Sequence, residues 1–158
     1  MKQNISHQQW KMKSEVGDLY LVASATGLKG VYNRKQDVAM VKAVEENKIL
    51  KTTEKQLTEY FAGKRKIFDL KLELDGTEFQ KKVWNALLQI PYGKTCSYKD
   101  IAEKIKNKKA VRAVGGANGK NPICVIVPCH RVISADGTLG GYSSGIPMKI
   151  KLLKLESA

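Results

Sequence analysis

The run Pro128-Cys129-His130-Arg131 follows five apolar residues, Ile123 to Val127. An apolar strand that ends in Pro-Cys delivers a thiol to the edge of a core, with a base (His130) and a cation (Arg131) beside it. The thiolate is the nucleophilic form of cysteine, and nearby positive charge favours it. The same residues also suit a buried structural cysteine, the usual fate of this residue type, or the Cys-His pair of a thiol hydrolase. Cys124, inside the apolar run, reads as a packing residue. Cys96, in a turn ahead of a helix, reads as a bystander. His130 is the only histidine of the second half, so it is the one base on offer to Cys129.

A second cluster lies just upstream. Two short helical patterns, 97–105 and 109–118, have the size of a helix-turn-helix. Residues 94–120 carry eight Lys or Arg against Asp100 and Glu103, a net of +6. The second helix would be the recognition helix, with Lys109 and Arg112 at its start and Ala113 following. Gly115 and Gly116 are poor helix formers; close approach of a backbone or a nucleic acid would explain them. Short amphipathic helices are common and surface lysines mostly serve solvation, so the charge is what points to a polyanion.

The elements that must position these residues divide at Asp75-Gly76, a turn dipeptide. The expected fold is α+β: a small N-terminal α/β subdomain over 1–75 and a mostly helical C-terminal domain over 76–158. In the first half, Asp18 to Ser24 and Leu28 to Asn33 read as strands joined at Thr26-Gly27. Thr53-x-x-Gln56 reads as a capping box opening a helix that ends near Gly63. Phe68, Leu70, Leu72 and Leu74 alternate, which predicts a half-buried strand. In the second half, Thr77-x-x-Gln80 caps a helix with Phe79, Val83, Trp84, Leu87 and Leu88 on one face. Ser97-x-x-Asp100 caps the next, and Pro147 suits the first turn of a last helix running toward Glu156.

Composition narrows the function classes. The chain has 158 residues, 28 Lys or Arg and 15 Asp or Glu, a net charge of +13. Such a surplus implies a polyanionic partner. The longest strictly apolar stretch, five residues, is too short to span a bilayer. Met1 to Glu15 is polar and lacks the apolar core of a signal peptide. Three cysteines without a C-x-x-C pair argue against a disulfide framework and a four-ligand zinc site, and fit a reducing cytoplasm or nucleus, the cytoplasm being the expected location.

Several runs carry a resemblance. Ile90-Pro91-Tyr92-Gly93-Lys94-Thr95, Arg112-Ala113-Val114-Gly115-Gly116-Ala117, Asn121-Pro122, Ile126 to Ile133 and Gly140-Gly141-Tyr142-Ser143 occur in an order and spacing that resembles the O6-alkylguanine-DNA alkyltransferases, over roughly residues 76–156. Residues 1–75 resemble that family's variable N-terminal domain only loosely. The resemblance implies direct reversal of DNA damage, with one alkyl group moved from O6 of guanine to Cys129 in a single turnover. It implies that His130, through a water, helps form the thiolate, that Glu156 orients His130, and that Tyr98 assists the leaving base. Asn121 would brace the site, and Arg112 would fill the stack when the guanine is flipped out. The backbone of Val132, with Tyr142 and Ser143, would line the guanine pocket. It implies no cofactor, no metal, no membrane, and a monomer on double-stranded DNA carrying O6-alkylguanine, with O4-alkylthymine and cooperative binding left open. Each residue also has a plainer role: Tyr98 as core, Arg112 as a phosphate contact, Asn121 as a turn residue, Glu156 as surface charge. A non-catalytic DNA-binding module with a structural Cys129 is the competing reading.

The +6 segment generates a first prediction. Affinity for undamaged duplex should fall steeply with salt, with a log–log slope of several units at about −0.9 per phosphate neutralised. Fluorescence anisotropy across a salt series checks this; a flat response would remove residues 94–120 as the DNA footprint.

Overall fold

The computed structural model describes residues 7–157. The first six residues of the polar stretch Met1 to Glu15 lie outside them, and so does that part of the expectation about a leader. No described helix is long and apolar enough to cross a membrane. The chain forms two compact units, Met1–Leu74 and Asp75–Ala158.

The first unit is a four-stranded sheet with one helix. Strands β1 (Gln8–Met12), β2 (Leu19–Ala23), β3 (Leu28–Tyr32) and β4 (Ala39–Met40) lie in the order β3-β2-β1-β4. β2 pairs antiparallel with both neighbours, with Trp10 opposite Leu21 and Leu21 opposite Val31. Leu19 and Leu21 are fully buried, alternate residues turned to one face of the sheet. Helix α1 (Lys48–Phe61) sets Leu50, Leu57, Tyr60 and Phe61 into the same core. β1 escapes sequence reading because Gln8-Gln9-Trp10-Lys11-Met12 lacks clean alternation. Gln9 is fully buried and bonds the carbonyls of Gln36 and Val38 instead of packing.

Two expectations here are corrected. Thr53-x-x-Gln56 does not open α1. Asn47 caps it, accepting the Leu50 amide at 3.0 Å, and the helix is already four turns long by Phe61 because Leu50 must reach the core. Thr53 instead bonds back to the Ile49 carbonyl, and Gln56 exchanges two bonds with the Asp69 backbone. The alternating stretch 68–74 is no regular strand: it bridges β3 at Leu28 and Leu72 alone, through amide bonds flanking that residue. Its apolar side chains are half-buried, so alternation reports exposure without a ladder.

In the second unit both expected capping boxes form: Thr77 with Gln80 on α2 (Glu78–Leu87), and Ser97 with Asp100 on α3 (Tyr98–Lys104). α2 buries Val83, Trp84, Ala86 and Leu87, while Leu88 faces out. Trp84 donates its indole N–H to the Ala117 carbonyl at 2.8 Å, tying α2 to α4 (Val111–Gly119). α4 begins two residues later than expected, leaving Lys109 in the exposed turn before it. β5 (Cys96–Ser97) and β6 (Val132–Ile133) pair in parallel, and α5 (Ile146–Ser157) closes the unit with Pro147 in its first turn.

The apolar run Ile123 to Val127 is not the expected strand. It doubles back as a fully buried turn, with the Ile126 amide on the Cys124 carbonyl and the Val127 amide on that of Ile123. Val125 takes φ +73°, unusual for a β-branched residue and costing roughly 1–3 kcal/mol. Asn121 supplies what a strand partner would: its side-chain oxygen accepts the Ile123 amide at 3.0 Å and its nitrogen reaches the Val127 carbonyl at 2.8 Å. The run is apolar because it is buried on every side, a property strands and buried turns share.

Candidate functional site

Directly after the buried turn the chain makes a short 3-10 turn, Cys129–Arg131, all three residues buried. Cys129 is 1% exposed and its carbonyl receives the Asn118 side chain at 3.4 Å. His130 is fully buried and meets Glu156 through Nε2 at 2.7 Å. Its Nδ1 has no hydrogen-bond partner in the protein. A neutral imidazole that donates from Nε2 to a carboxylate carries its lone pair on Nδ1, free to take a proton. Burial holds the His130 pKa below its ordinary value, against the raising effect of Glu156, so the ring is neutral near pH 7.

Glu156 serves two residues. Arg131 donates Nε to one carboxylate oxygen at 2.8 Å and Nη2 to the other at 3.0 Å, and its Nη1 bonds the Ile90 carbonyl. The guanidinium also lies over the Tyr92 ring at 5.8 Å. A residue three places from the C-terminus, which could have been frayed surface charge, is therefore buried at the centre of the network. Sequence alone leaves Arg131 as a general cation; the structure makes it the clamp that holds Glu156 in place.

The thiol's other neighbours are Cys124, Tyr142 and Asn121, all within reach of its side chain. Hydrogen bonding with Cys124, then burial, pushes the Cys129 thiol up, so the resting group is a protonated thiol. Tyr98, the first residue of α3, is half-buried; burial and then the neighbouring Cys129 raise its pKa, leaving it a proton donor. A Cβ on Gly140, which has φ +70°, would stand 2.9 Å from the Tyr98 hydroxyl, so glycine is what lets this loop lie against that group.

Lys149 is a site residue that sequence reasoning misses. It is fully buried, and its Nζ donates to the carbonyls of Val132 (2.7 Å) and Gly141 (3.0 Å) and to that of Leu139. One ammonium thus pins the loop 139–141 to β6. Its signal was its place: Met148 and Leu152 put it on the buried side of α5, where a lysine must be paired. Of the Val132 backbone, expected to line the pocket, the carbonyl is taken by Lys149. Of the pocket residues expected, Tyr142 is half-buried beside the thiols. Ser143 is exposed, and its neighbour Ser144 is the hydroxyl that turns inward, 3.4 Å from Cys124.

Of the residues expected to meet DNA, all but Lys109 lie on one helix. Arg112, Ala113 and Gly116 are exposed on α4, and Val114, Ala117 and Asn118 are buried on its other side. A Cβ on Gly116 would meet nothing, whereas one on Gly115 would touch the Tyr98 ring at 3.9 Å. α4 therefore presents a bare, basic surface outward and bonds the carbonyl of Cys129 from within. Among the described residues no three His, Cys, Asp or Glu side chains converge as a metal site.

The chain is similar to proteins of known name. The model of the 6-O-methylguanine DNA methyltransferase DNA-binding domain matches residues 78–158, and that of the ribonuclease-like domain of the same proteins matches 10–74. A methylated-DNA–protein-cysteine methyltransferase of Methanosarcina acetivorans is 50% identical over 149 residues, covering 92% of this chain and 96% of the relative. The crystal structure of the Mycobacterium tuberculosis O6-methylguanine methyltransferase superposes with a TM-score of 0.87 at 42% identity, covering 96% of this chain and 93% of that one. A structure of the mycobacterial protein in complex with DNA matches with a TM-score of 0.86, also at 42% identity, over 95% of this chain and 92% of that one.

The buried network yields two predictions. Glu156→Gln leaves the Arg131 charge buried against a neutral amide, and should destabilise the protein by about 3–5 kcal/mol in urea unfolding. The second concerns pH. The folded His130 pKa lies below its unfolded value, so this contribution to stability is complete above the unfolded pKa. It is lost as pH falls through about 6.5 toward the folded value, because the unfolded chain binds the proton first. Melting temperatures from pH 8 to pH 5 should fall over that window, and a His130→Gln variant should show a shallower decline.

Proposed function

The chain belongs to the 6-O-methylguanine DNA methyltransferase family and repairs DNA by alkyl transfer to a cysteine of its own; on that premise we propose that Cys129 is the acceptor and O6-alkylguanine in duplex DNA the substrate. The observation that carries the assignment is the line from Glu156 through His130 to a nitrogen with no protein partner, on the residue next to a buried thiol. A structural cysteine needs no such base, and the binding-module alternative is not favoured.

The steps follow from the groups present. Cys129 is buried, so a base inside a duplex stays out of reach until its nucleotide is extruded. Arg112, exposed near the start of α4, fills the gap left in the stack, and the bare surface at Ala113 and Gly116 lets the helix lie close to the DNA. Lys109 in the preceding turn adds a phosphate contact. His130 Nδ1 takes the thiol proton, through a water, and Glu156 stabilises the imidazolium that forms. The sulfur pair attacks the alkyl carbon. A C–S bond forms, the C–O bond breaks, and its electron pair stays on the purine, which receives a proton from the Tyr98 hydroxyl. Asn121 holds the turn that aims the thiol, and Val132, Tyr142 and Ser143 border the purine. A thioether has no easy leaving group, so each molecule acts once. The protein works as a monomer in the cytoplasm.

Intact-mass spectrometry after incubation with duplex containing O6-methylguanine tests this. The wild type should gain one methyl group, located on Cys129, and form no more product than one equivalent of protein. Cys129→Ser should lose transfer and still bind DNA, because an alcohol ionises far less than a thiol. Transfer by the serine variant, or repeated turnover, would overturn the assignment.

A further inference from the structure

The site holds a second thiol that the transfer chemistry leaves unused. Cys124 sits five residues before Cys129, and both are buried. The turn between them folds the chain back on itself, closed by the Val127 amide on the Ile123 carbonyl and the Cys129 amide on the Val127 carbonyl. The reversal brings the two thiols into interaction, which holds Cys124 down, at about 7, and pushes Cys129 up. Cys124 Sγ is held from the far side by Ser144 Oγ at 3.4 Å and by the Asn121 carbonyl at 4.0 Å. The third cysteine, Cys96, lies apart on β5, half-buried, where burial and then Asp100 push its thiol up to about 11. A site that must admit a purine also admits a small peroxide, and the thiol whose proton His130 would take is the one a peroxide attacks.

We propose that Cys124 is a resolving thiol for Cys129: a hydroperoxide oxidises the acceptor, and the pair closes to an intramolecular disulfide that a dithiol can reopen. The inference rests on Cys129 being the acceptor. In the first step the Cys129 sulfur attacks a peroxide oxygen, the O–O bond breaks, and the departing oxygen takes a proton. Sulfur is oxidised by two electrons to the sulfenic acid and peroxide is reduced to water or an alcohol. In the second step the Cys124 sulfur attacks the Cys129 sulfur. The S–S bond forms, the S–O bond breaks, and the hydroxyl leaves as water with the Cys124 proton. Two thiols and one hydroperoxide become one disulfide, one water and one water or alcohol. The disulfide blocks alkyl transfer but spares Cys129 the irreversible sulfinic and sulfonic states. A protein that acts once thereby keeps its single equivalent through an oxidative episode.

The test treats the full chain with hydrogen peroxide, removes the oxidant, blocks free thiols with iodoacetamide and digests with trypsin without reduction. The peptide Asn121–Arg131 carries both cysteines. In the wild type it should be lighter by two hydrogens and unalkylated, and dithiothreitol should restore methyl transfer to that of the untreated protein. In Cys124→Ser the peptide should gain oxygen on Cys129, and transfer after dithiothreitol, normalised to the same variant untreated, should recover at least about tenfold less. Cys124→Ala repeats the comparison should the serine variant fold poorly. An oxygenated wild-type peptide without loss of hydrogens, or full recovery by the Cys124 variants, would overturn the proposal. The untreated wild type reports separately on the premise. A methyl group found elsewhere than Cys129 defeats the acceptor assignment, whereas the disulfide is read by mass alone.

Discussion

The buried carboxylate of Glu156 is the interaction on which the C-terminal unit depends. It comes from the last turn of α5 and takes three hydrogen bonds, two from Arg131 and one from His130. Burying a carboxylate and a guanidinium together is not a cheap source of stability, since desolvation offsets much of their attraction. What the pair contributes is position. This placement of α5 satisfies both oxygens and fixes the imidazole through its Nε2. A hydrophobic replacement could hold the helix but would leave His130 without an orienting partner and without a counter-charge once protonated.

A second buried charge works in the same way elsewhere on α5. Lys149 gathers three carbonyls, one from β6 and two from the loop 139–141, and converts a glycine-rich connector into a defined wall. The same helix therefore supplies Glu156 to the base and Lys149 to the pocket. α4 completes the frame. Its outer surface carries Arg112 and the bare positions Ala113 and Gly116, and its inner surface carries Asn118, bonded to the carbonyl of Cys129. The surface proposed to meet DNA and the bond to the Cys129 backbone thus share one short helix.

The turn before Cys129 shows how strain is held at such a site. Val125 adopts a left-handed backbone where the chain reverses within five apolar residues ahead of Cys129. Asn121 meets the backbone groups that the reversal leaves unpaired. A strand through the same residues would have carried Cys129 out along its axis.

Much of this was legible in the sequence. The Cys-His-Arg run, the basic 94–120 segment and the two capping boxes of the second unit carry local chemistry: a thiol beside a base, a charge surplus, and polar caps spaced for one helical turn. Local rules read such features directly. Thr53 and Gln56 show the limit, since the same spacing sits inside a helix whose cap, Asn47, lies six residues before Thr53, set by the need to bury Leu50. Ile123 to Val127 shows it again, because burial on all sides removes the periodicity that separates strand from turn. The partnership of Glu156 with His130 and Arg131, 26 and 25 residues away, the Lys149 carbonyl cluster and the facing thiols of Cys124 and Cys129 were decided only by tertiary packing. Each joins groups far apart in sequence or folded together by a turn, and whether a charge or thiol is paired or solvated depends on which elements pack around it, which no local spacing encodes.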